Sequence, residues 1–391
     1  MNQLSRLEEH SNYVRFPIFA AGEALWFLTH VGPHADEIAA AVLIERYATP
    51  EWVAEHTSGG VVIVGTMGNE FDEHPDNGTG KARDKKDCAA TLVAKSLGVS
   101  NLPNVKEILK YLYSADIEGI DVRNGLASCI NLLRRVMPHS QIRNINWGLT
   151  AFQSMFSVPK KKYVFAVANV SNVVHGHFAN RPDIIKLWDD HIAAARKEQS
   201  DQFNAAVAEL ESNGDMREIP GPGKGRKLQL LVIKSDSSEM AKAGRYKGAD
   251  IVLQMKSTGQ TMVHTKKQAN LKLYSLILML RLEEQKALGS VTVTNWQALM
   301  KEGDGPMRRW YFHCSGKSGH FILNGSLSTP DVTPTIMPIE KIAELIEISV
   351  DINRYEPKME LACQQGICTS TKEKTCSWFN WGLPRCNNNR R

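Results

Sequence analysis

The chain lacks any run of about 18 consecutive apolar residues, the length that a membrane-spanning helix requires, so we expect no transmembrane helix. Residues 1–15 lack the apolar centre of a secretory signal peptide, which predicts a cytoplasmic protein without a membrane partner. The seven cysteines form no paired Cys-x-x-Cys motif, so a standard zinc ribbon is excluded. Internal repeats are also absent.

The composition indicates a folded protein with more than one domain. The 391 residues suffice for two or three domains, and 42% hydrophobic residues are ample for packed cores. The formal net charge of +5 is compatible with an anionic partner, but it is too small to establish nucleic-acid binding by itself.

Three metal-capable side chains follow the first apolar segment. Residues 24–28 read as a strand and residues 38–44 as a helix, and the polar turn between them carries His30, His34 and Asp36. Open α/β sheets build their sites at the carboxyl ends of strands. Imidazole and carboxylate suit a divalent ion such as manganese, zinc or iron. The triplet therefore predicts a metal site, with solvated polar side chains as the alternative.

Two later segments carry side chains of the same kind. Residues 60–65 form a β-branched run between glycines, which is typical of a buried strand, and Asp72, Glu73 and His74 follow it. Asp116 ends an amphipathic helix that is predicted to begin near residue 104. Three such clusters in one α/β region favour a shared metal site over unrelated polar loops.

The order of these residues resembles the DHH phosphoesterase superfamily over residues 24–120. The first triplet and the small-residue helix after it are similar to the first motif, and Asp72-Glu73-His74 is similar to the Asp-His-His signature. The Thr-His…His-x-Asp-Glu opening most resembles the melanocyte-proliferating-gene type of DHH-like exonuclease. The resemblance implies an α/β fold with a mostly parallel sheet and a divalent metal, with Mn²⁺ expected first and Mg²⁺ or Zn²⁺ as alternatives. The metal ligands that it implies are His30, His34, Asp36, Asp72, Glu73, His74 and Asp116.

Two positions depart from the superfamily pattern. Gly65 stands where the superfamily usually has an aspartate at the end of its second strand, and Glu73 stands where the first histidine of the signature is expected. These departures leave open one metal instead of two, or a degenerate site that binds without cutting.

A glycine-histidine segment in the C-terminal half resembles a turn in the substrate-binding domain of many DHH proteins. Glycines let the backbone approach a phosphate, whereas a plain hairpin and a solvated surface are the alternatives. The resemblance implies His74 and His320 as catalytic residues, with His74 orienting water or protonating the leaving oxygen. The predicted substrate-binding residues are Lys85, Lys86, His313, Ser315, Gly319, His320 and Gly325.

The sequence predicts four segments. They are a DHH-like α/β domain over 1–215, a proline- and glycine-rich linker over 216–227, a smaller α+β domain over 228–355 and a cysteine-containing tail over 356–391. The predicted elements are a polar lead-in over 1–20, a strand over 163–168, a helix over 182–211, a strand over 228–234, hairpins over 249–264 and 311–323, and helices over 268–288 and 338–350.

The tail holds four of the seven cysteines. Zinc or an iron–sulfur cluster is a candidate occupant, unrelated thiols are the main alternative, and disulfides are disfavoured in a reducing cytosol. These residues are Cys363, Cys368, Cys376 and Cys386.

Three functions stay open at this point. The first is a metal-dependent phosphoesterase that acts on a nucleic-acid end or a nucleotide phosphodiester. The second is a non-catalytic nucleic-acid or nucleotide-binding protein with a degenerate metal site, and the third is a hydrolase of small phosphates such as pyrophosphate. A homodimer is compatible with each of them.

Overall fold

The computed structural model describes residues 7–10, 12–72, 87–158, 164–222, 225–293, 295–314, 319–325 and 332–351. The chain divides into two compact units, Met1–Ser200 and Asp201–Arg391. The division falls inside one long helix, Pro182–Asn213, which confirms the helix predicted over 182–211. Each unit has its own sheet and its own hydrophobic core.

The first unit contains a four-stranded sheet in the order β1-β2-β3-β4. The first two pairs of neighbours are antiparallel and only β3 and β4 run parallel, so the predicted mostly parallel sheet is wrong and the sheet is mixed. Strands β3 and β4 confirm the strands predicted at 24–28 and 60–65. The strands are β1 (Glu8–Glu9), β2 (Tyr13–Ala20), β3 (Glu23–His30) and β4 (Val61–Ile63).

Strand β2 replaces most of the predicted polar lead-in over 1–20. Val14, Phe16 and Ile18 are buried at alternate positions, as in a strand with one face on a core. The turn Ala21–Gly22 has positive φ at both residues, the geometry of the tightest hairpins, and it makes β2 and β3 antiparallel.

Helices complete the first unit after β4. Helix α1 is buried from Ala35 to Ile44 and packs against α3 and α6, so it lies at the centre of the unit. The strand predicted over 163–168 is wrong where the structure describes it, because α7 begins at Val167 and buries Val170 and Val174 with helical spacing. The helices are α1 (Ala35–Tyr47), α2 (Pro50–His56), α3 (Ala89–Ser96), α4 (Pro103–Asp116), α5 (Leu126–Val136), α6 (Gln141–Ser157), α7 (Val167–His177) and α8 (Pro182–Asn213).

The second unit contains a six-stranded mixed sheet in the order β5-β6-β7-β8-β10-β9, in which only β6 and β7 are parallel. It confirms the strand, both hairpins and the last helix that the sequence predicts there. Its elements are β5 (Asp215–Pro220), β6 (Lys227–Lys234), α9 (Met240–Tyr246), β7 (Ile251–Met255), β8 (Thr261–Thr265), α10 (Tyr274–Ala287), α11 (Trp296–Leu299), β9 (Tyr311–His313), β10 (Phe321–Asn324) and α12 (Ile339–Val350).

Two predictions for this unit need correction. The residues predicted as a linker over 216–227 include most of β5, which pairs with β6 at the edge of the sheet. The helix predicted over 268–288 begins only at Tyr274, because Asn270 has the left-handed φ of +47° and interrupts the helical backbone.

No helix in the described ranges combines the length and the apolar character needed to cross a membrane.

Candidate metal centre

Side chains from three separate elements of the first unit meet at the carboxyl end of β3. His30, His34 and Glu37 each offer a ligand atom, and these atoms lie within 4.8 Å of one another. His34, Asp36 and Asp116 form a second such group, so His34 belongs to both. The structure therefore brings together four sequence-predicted ligand candidates and adds Glu37, which the sequence prediction did not include.

Local structure explains why four of these residues converge. His30 is the last residue of β3, and His34 precedes the first residue of α1 as its N-cap. Asp36 and Glu37 lie in the first turn of α1, where carboxylates interact favourably with the helix dipole. The Glu37 carboxylate accepts a hydrogen bond from the His34 backbone N–H at 2.7 Å, so the same side chain caps the helix and faces the site.

Both nitrogens of the His30 ring face hydrogen-bond acceptors. Its Nε2 lies 3.0 Å from Glu37 Oε1 and its Nδ1 lies 3.0 Å from the Val31 carbonyl oxygen, and both partners are hydrogen-bond acceptors. Burial by itself lowers the pKa of His30, but the charge and hydrogen bond of Glu37 outweigh it and raise that pKa to about 9. The same pair holds the pKa of Glu37 well below its usual range despite burial. Without a bound cation, His30 and Glu37 therefore form an ion pair, and a cation bound through His30 would displace the proton from that ring nitrogen.

Gly65 leaves the space that Glu37 occupies. It follows β4 with a φ of +66°, and a Cβ added there would lie 2.8 Å from Glu37 Cγ and 2.9 Å from Glu37 Oε1. A side chain at position 65 and the observed Glu37 side chain therefore exclude each other. The glycine that departs from the DHH pattern has a structural reason in this chain.

The second group places two carboxylates beside His34. Asp36 is 1% exposed, and its Oδ2 accepts a hydrogen bond from the Ala89 backbone N–H at 3.1 Å, at the start of α3. Asp116 is the last residue of α4, a helix separate from α1. Burial, followed by the charges of Asp36 and Asp116, raises the pKa of the nearby Cys88 thiol, which therefore stays neutral.

The donor set fits a divalent cation. Two carboxylates within 4.8 Å repel each other when both are ionised, and a cation between them removes that repulsion. Histidine nitrogen and carboxylate oxygen are suitable ligands for manganese or zinc. Such an ion would be held by His30, His34 and Glu37, or by His34, Asp36 and Asp116.

A positively charged residue borders the site from α5. Arg134 Nη1 donates a hydrogen bond to the Gly32 carbonyl oxygen at 2.8 Å, and the Gly32 N–H donates to Gln141 Oε1 at 3.3 Å. Gly32 has a φ of +65°, which favours glycine, so the loop between His30 and His34 is held on both sides. No local sequence signal marks Arg134, whereas the three-residue spacing from His34 to Glu37 is that of a capping box.

Asp72 is a predicted ligand that the structure describes away from both ligand groups. Asp72 belongs to neither described ligand group, and its Oδ2 accepts a hydrogen bond from the Gly68 backbone N–H at 2.7 Å, which closes the turn after β4. The predictions for Glu73, His74, Lys85 and Lys86 fall outside the described residues.

The predicted substrate-binding residues of the second unit have local structural roles. His320 Nδ1 accepts a hydrogen bond from the Leu273 backbone N–H at 3.1 Å, at the start of α10. Burial, and then Lys272, lowers the pKa of His320, which favours the neutral ring that this bond requires. Gly319 and Gly325 flank β10 with φ of +85° and +81°, a backbone conformation that favours glycine.

Of the remaining predicted residues, the structure describes His313, which lies in β9 next to β10. The His313 ring stacks on Phe321 with the ring centroids 4.5 Å apart, and its Nδ1 lies 3.5 Å from Glu302 Oε1. Ser315 and the four tail cysteines, Cys363, Cys368, Cys376 and Cys386, lie outside the described residues.

Comparisons of the whole chain with protein-family models, with curated proteins and with solved structures give no match. The resemblance to DHH phosphoesterases therefore stays a prediction from motifs.

Proposed function

We propose that this protein is a metal-dependent phosphoesterase whose centre lies at the carboxyl end of β3. One observation carries the proposal: His30, His34, Asp36, Glu37 and Asp116 converge in two ligand groups that share His34. Two of these carboxylates, Asp36 and Glu37, are 1% exposed. Acidic side chains so buried and so close together are favourable when a cation lies among them.

This ligand set indicates how the protein would contribute to phosphodiester hydrolysis. A divalent ion held here, with Mn²⁺ expected first, would lower the pKa of water and stabilise negative charge on a phosphoryl group. The Asp36 carboxylate is held by the backbone N–H at the start of α3, and the backbone of His34 is held by its capping bond to Glu37. A preorganised ligand set of this kind supports hydrolysis because little has to move during the reaction.

The proposed substrate is a nucleic-acid end or a nucleotide phosphodiester. The DHH-type order of the motifs supports this class, and the positive net charge of the chain is compatible with it.

The test is Mn²⁺-dependent release of mononucleotides from a labelled oligonucleotide, together with metal analysis of the purified full-length protein. We expect His34→Ala to lose both bound metal and turnover, because His34 belongs to both ligand groups. His139→Ala is the matched control, since this histidine is exposed and belongs to neither group. Equal metal content in wild type and His34→Ala would refute the metal centre.

The substrates separate the remaining functions. Tight oligonucleotide binding without turnover, in protein that holds metal, would favour the non-catalytic binding protein. Phosphate release from pyrophosphate, without cleavage of the oligonucleotide, would favour the small-phosphate hydrolase. Either result would overturn the phosphodiesterase proposal and leave the metal centre standing.

A further inference from the structure

Arg134 contacts the loop between two of the candidate ligands, His30 and His34. It belongs to α5, which packs against α1 and α6 in the first unit. Its Nη1 reaches the Gly32 carbonyl oxygen at 2.8 Å, and a Cβ at Gly32 would lie only 3.8 Å from Arg134 Cδ. The aliphatic part of the side chain therefore packs against Gly32, and the guanidinium group is hydrogen-bonded to the same residue.

Arg134 interacts electrostatically with two candidate ligands, His30 and Glu37. Burial lowers the pKa of Arg134 and the charge of Glu37 partly offsets this, while the charge of Arg134 lowers the pKa of His30. Among the described residues, its guanidinium makes the one hydrogen bond to Gly32 and no ion pair with a carboxylate. Nearby Glu37 pairs with His30 and with the start of α1 instead.

A half-buried guanidinium with remaining donors is suited to an anion. Arginine carries five N–H donors in a planar fork, and this fork matches two oxygens of a phosphate group. One donor is used by the Gly32 carbonyl, which fixes the orientation of the fork relative to the loop. The acidic ligands alone would repel an anion, so a cation bound by them and the arginine beside them have to act together.

We propose that Arg134 binds the phosphate group of the substrate in the metal-loaded centre. This inference rests on the proposed function and deepens it, because it assigns a residue to phosphate recognition. It also predicts that inorganic phosphate, the simplest anion with this geometry, binds the Mn²⁺-loaded protein through Arg134. The Gly32 bond is then a positioning contact that points the remaining donors toward the phosphate.

The experiment measures inorganic phosphate binding to the Mn²⁺-loaded full-length protein by calorimetry, and KM and kcat for oligonucleotide hydrolysis. We expect Arg134→Gln to weaken phosphate binding and to raise KM by at least about tenfold, with bound Mn²⁺ unchanged. Arg134→Lys keeps the charge but loses the fork, so an intermediate loss is expected. Arg135→Gln, on the next residue of the same helix, is the control and should behave as wild type.

Two outcomes would overturn the assignment. The first is phosphate binding in Arg134→Gln within twofold of wild type. The second is a loss in Gln141→Leu as large as that in Arg134→Gln, because Gln141 holds the same loop without supplying charge. Because phosphate binding is measured without turnover, failure of this inference is distinguishable from failure of the proposed hydrolase activity.

Discussion

Replacing Gly65 by alanine is expected to damage the metal centre through Glu37. The new Cβ would lie 2.8 Å from Glu37 Cγ and 2.9 Å from Glu37 Oε1, closer than non-bonded carbon and oxygen atoms approach. The Glu37 side chain is 2% exposed and holds both His30 and the start of α1, so it cannot move without breaking one of these bonds. The substitution therefore tests whether Glu37 needs the space at position 65.

The size of the effect follows from two contributions. A non-glycine residue at a φ of +66° costs about 1–2 kcal/mol in backbone energy. Overpacking against Glu37 adds about 1–3 kcal/mol, so Gly65→Ala should lower the free energy of unfolding by about 2–5 kcal/mol. Gly68 has nearly the same φ, +64°, and a Cβ there meets no atom within 4 Å. Gly68→Ala should therefore lose only the first contribution.

Denaturant unfolding of the metal-free proteins and Mn²⁺ titration measure these differences. We expect Gly65→Ala to be less stable than Gly68→Ala by about 1–3 kcal/mol. Mn²⁺ affinity should fall by about 10–100-fold in Gly65→Ala, the usual range when a ligand or its support is displaced, and it should be unchanged in Gly68→Ala.

A double-mutant cycle isolates the contact with Glu37. In a Glu37→Ala background the clashing Cγ and Oε1 atoms are gone, so Gly65→Ala should then lose only the backbone contribution. Equal destabilisation by Gly65→Ala and Gly68→Ala would refute the reasoning. So would an unchanged effect of Gly65→Ala in the Glu37→Ala background.

Three further predictions concern metal, pH and the second unit. Mn²⁺ in about 100-fold excess over its dissociation constant should stabilise the wild-type protein by about 2.7 kcal/mol, and Asp116→Asn should lose most of this gain in thermal unfolding. Burial, and then Arg245, lowers the pKa of His264 to about 4 from 6.5. The folded state therefore binds fewer protons, and stability should fall by up to about 3 kcal/mol as pH drops from about 6.5 to 4. Arg281 is fully buried and donates to the carbonyl oxygens of Leu299, Lys301, Gly303 and Trp310, so Arg281→Met should cost about 3–5 kcal/mol in urea unfolding.

Each of these has a contrary result. Equal stabilisation of wild type and Asp116→Asn by Mn²⁺ would remove Asp116 from the ligand set. A His264→Gln variant with the same loss of stability below pH 6.5 as wild type would show that another group titrates there. An Arg281→Met variant within 1 kcal/mol of wild type would mean that water replaces the arginine at the carbonyl oxygens.

Some elements were predictable because their signals are local. The apolar run of β4, the long periodic stripe of α8 and the hairpin between β7 and β8 each follow from the pattern of a few neighbouring residues. Strand β2 had a signal of the same kind, because Val14, Phe16 and Ile18 alternate with other residues before a two-residue turn. That prediction failed because the polar residues nearby outweighed a short alternation.

Two other predictions were wrong because they relied on amino-acid composition and not on the periodic spacing of apolar residues. The segment after residue 163 is rich in β-branched residues, yet Val167, Val170 and Val174 recur with helical spacing and lie in α7. The segment over 216–227 is rich in proline and glycine, yet β5 pairs along β6 and the turn lies between them. In both cases tertiary packing overrode a local preference.

The sequence by itself determined the chemistry available at the end of β3, because His30, His34 and Asp36 lie within one strand–turn–helix segment. Tertiary structure alone brought Asp116 to that segment from the end of α4 and placed Arg134, 102 residues away from Gly32, beside its loop. It also matched Gly65 to the Glu37 side chain. The reason is physical: local preferences depend on neighbouring residues, whereas these contacts depend on how α1, α4, α5 and β4 pack around a common core.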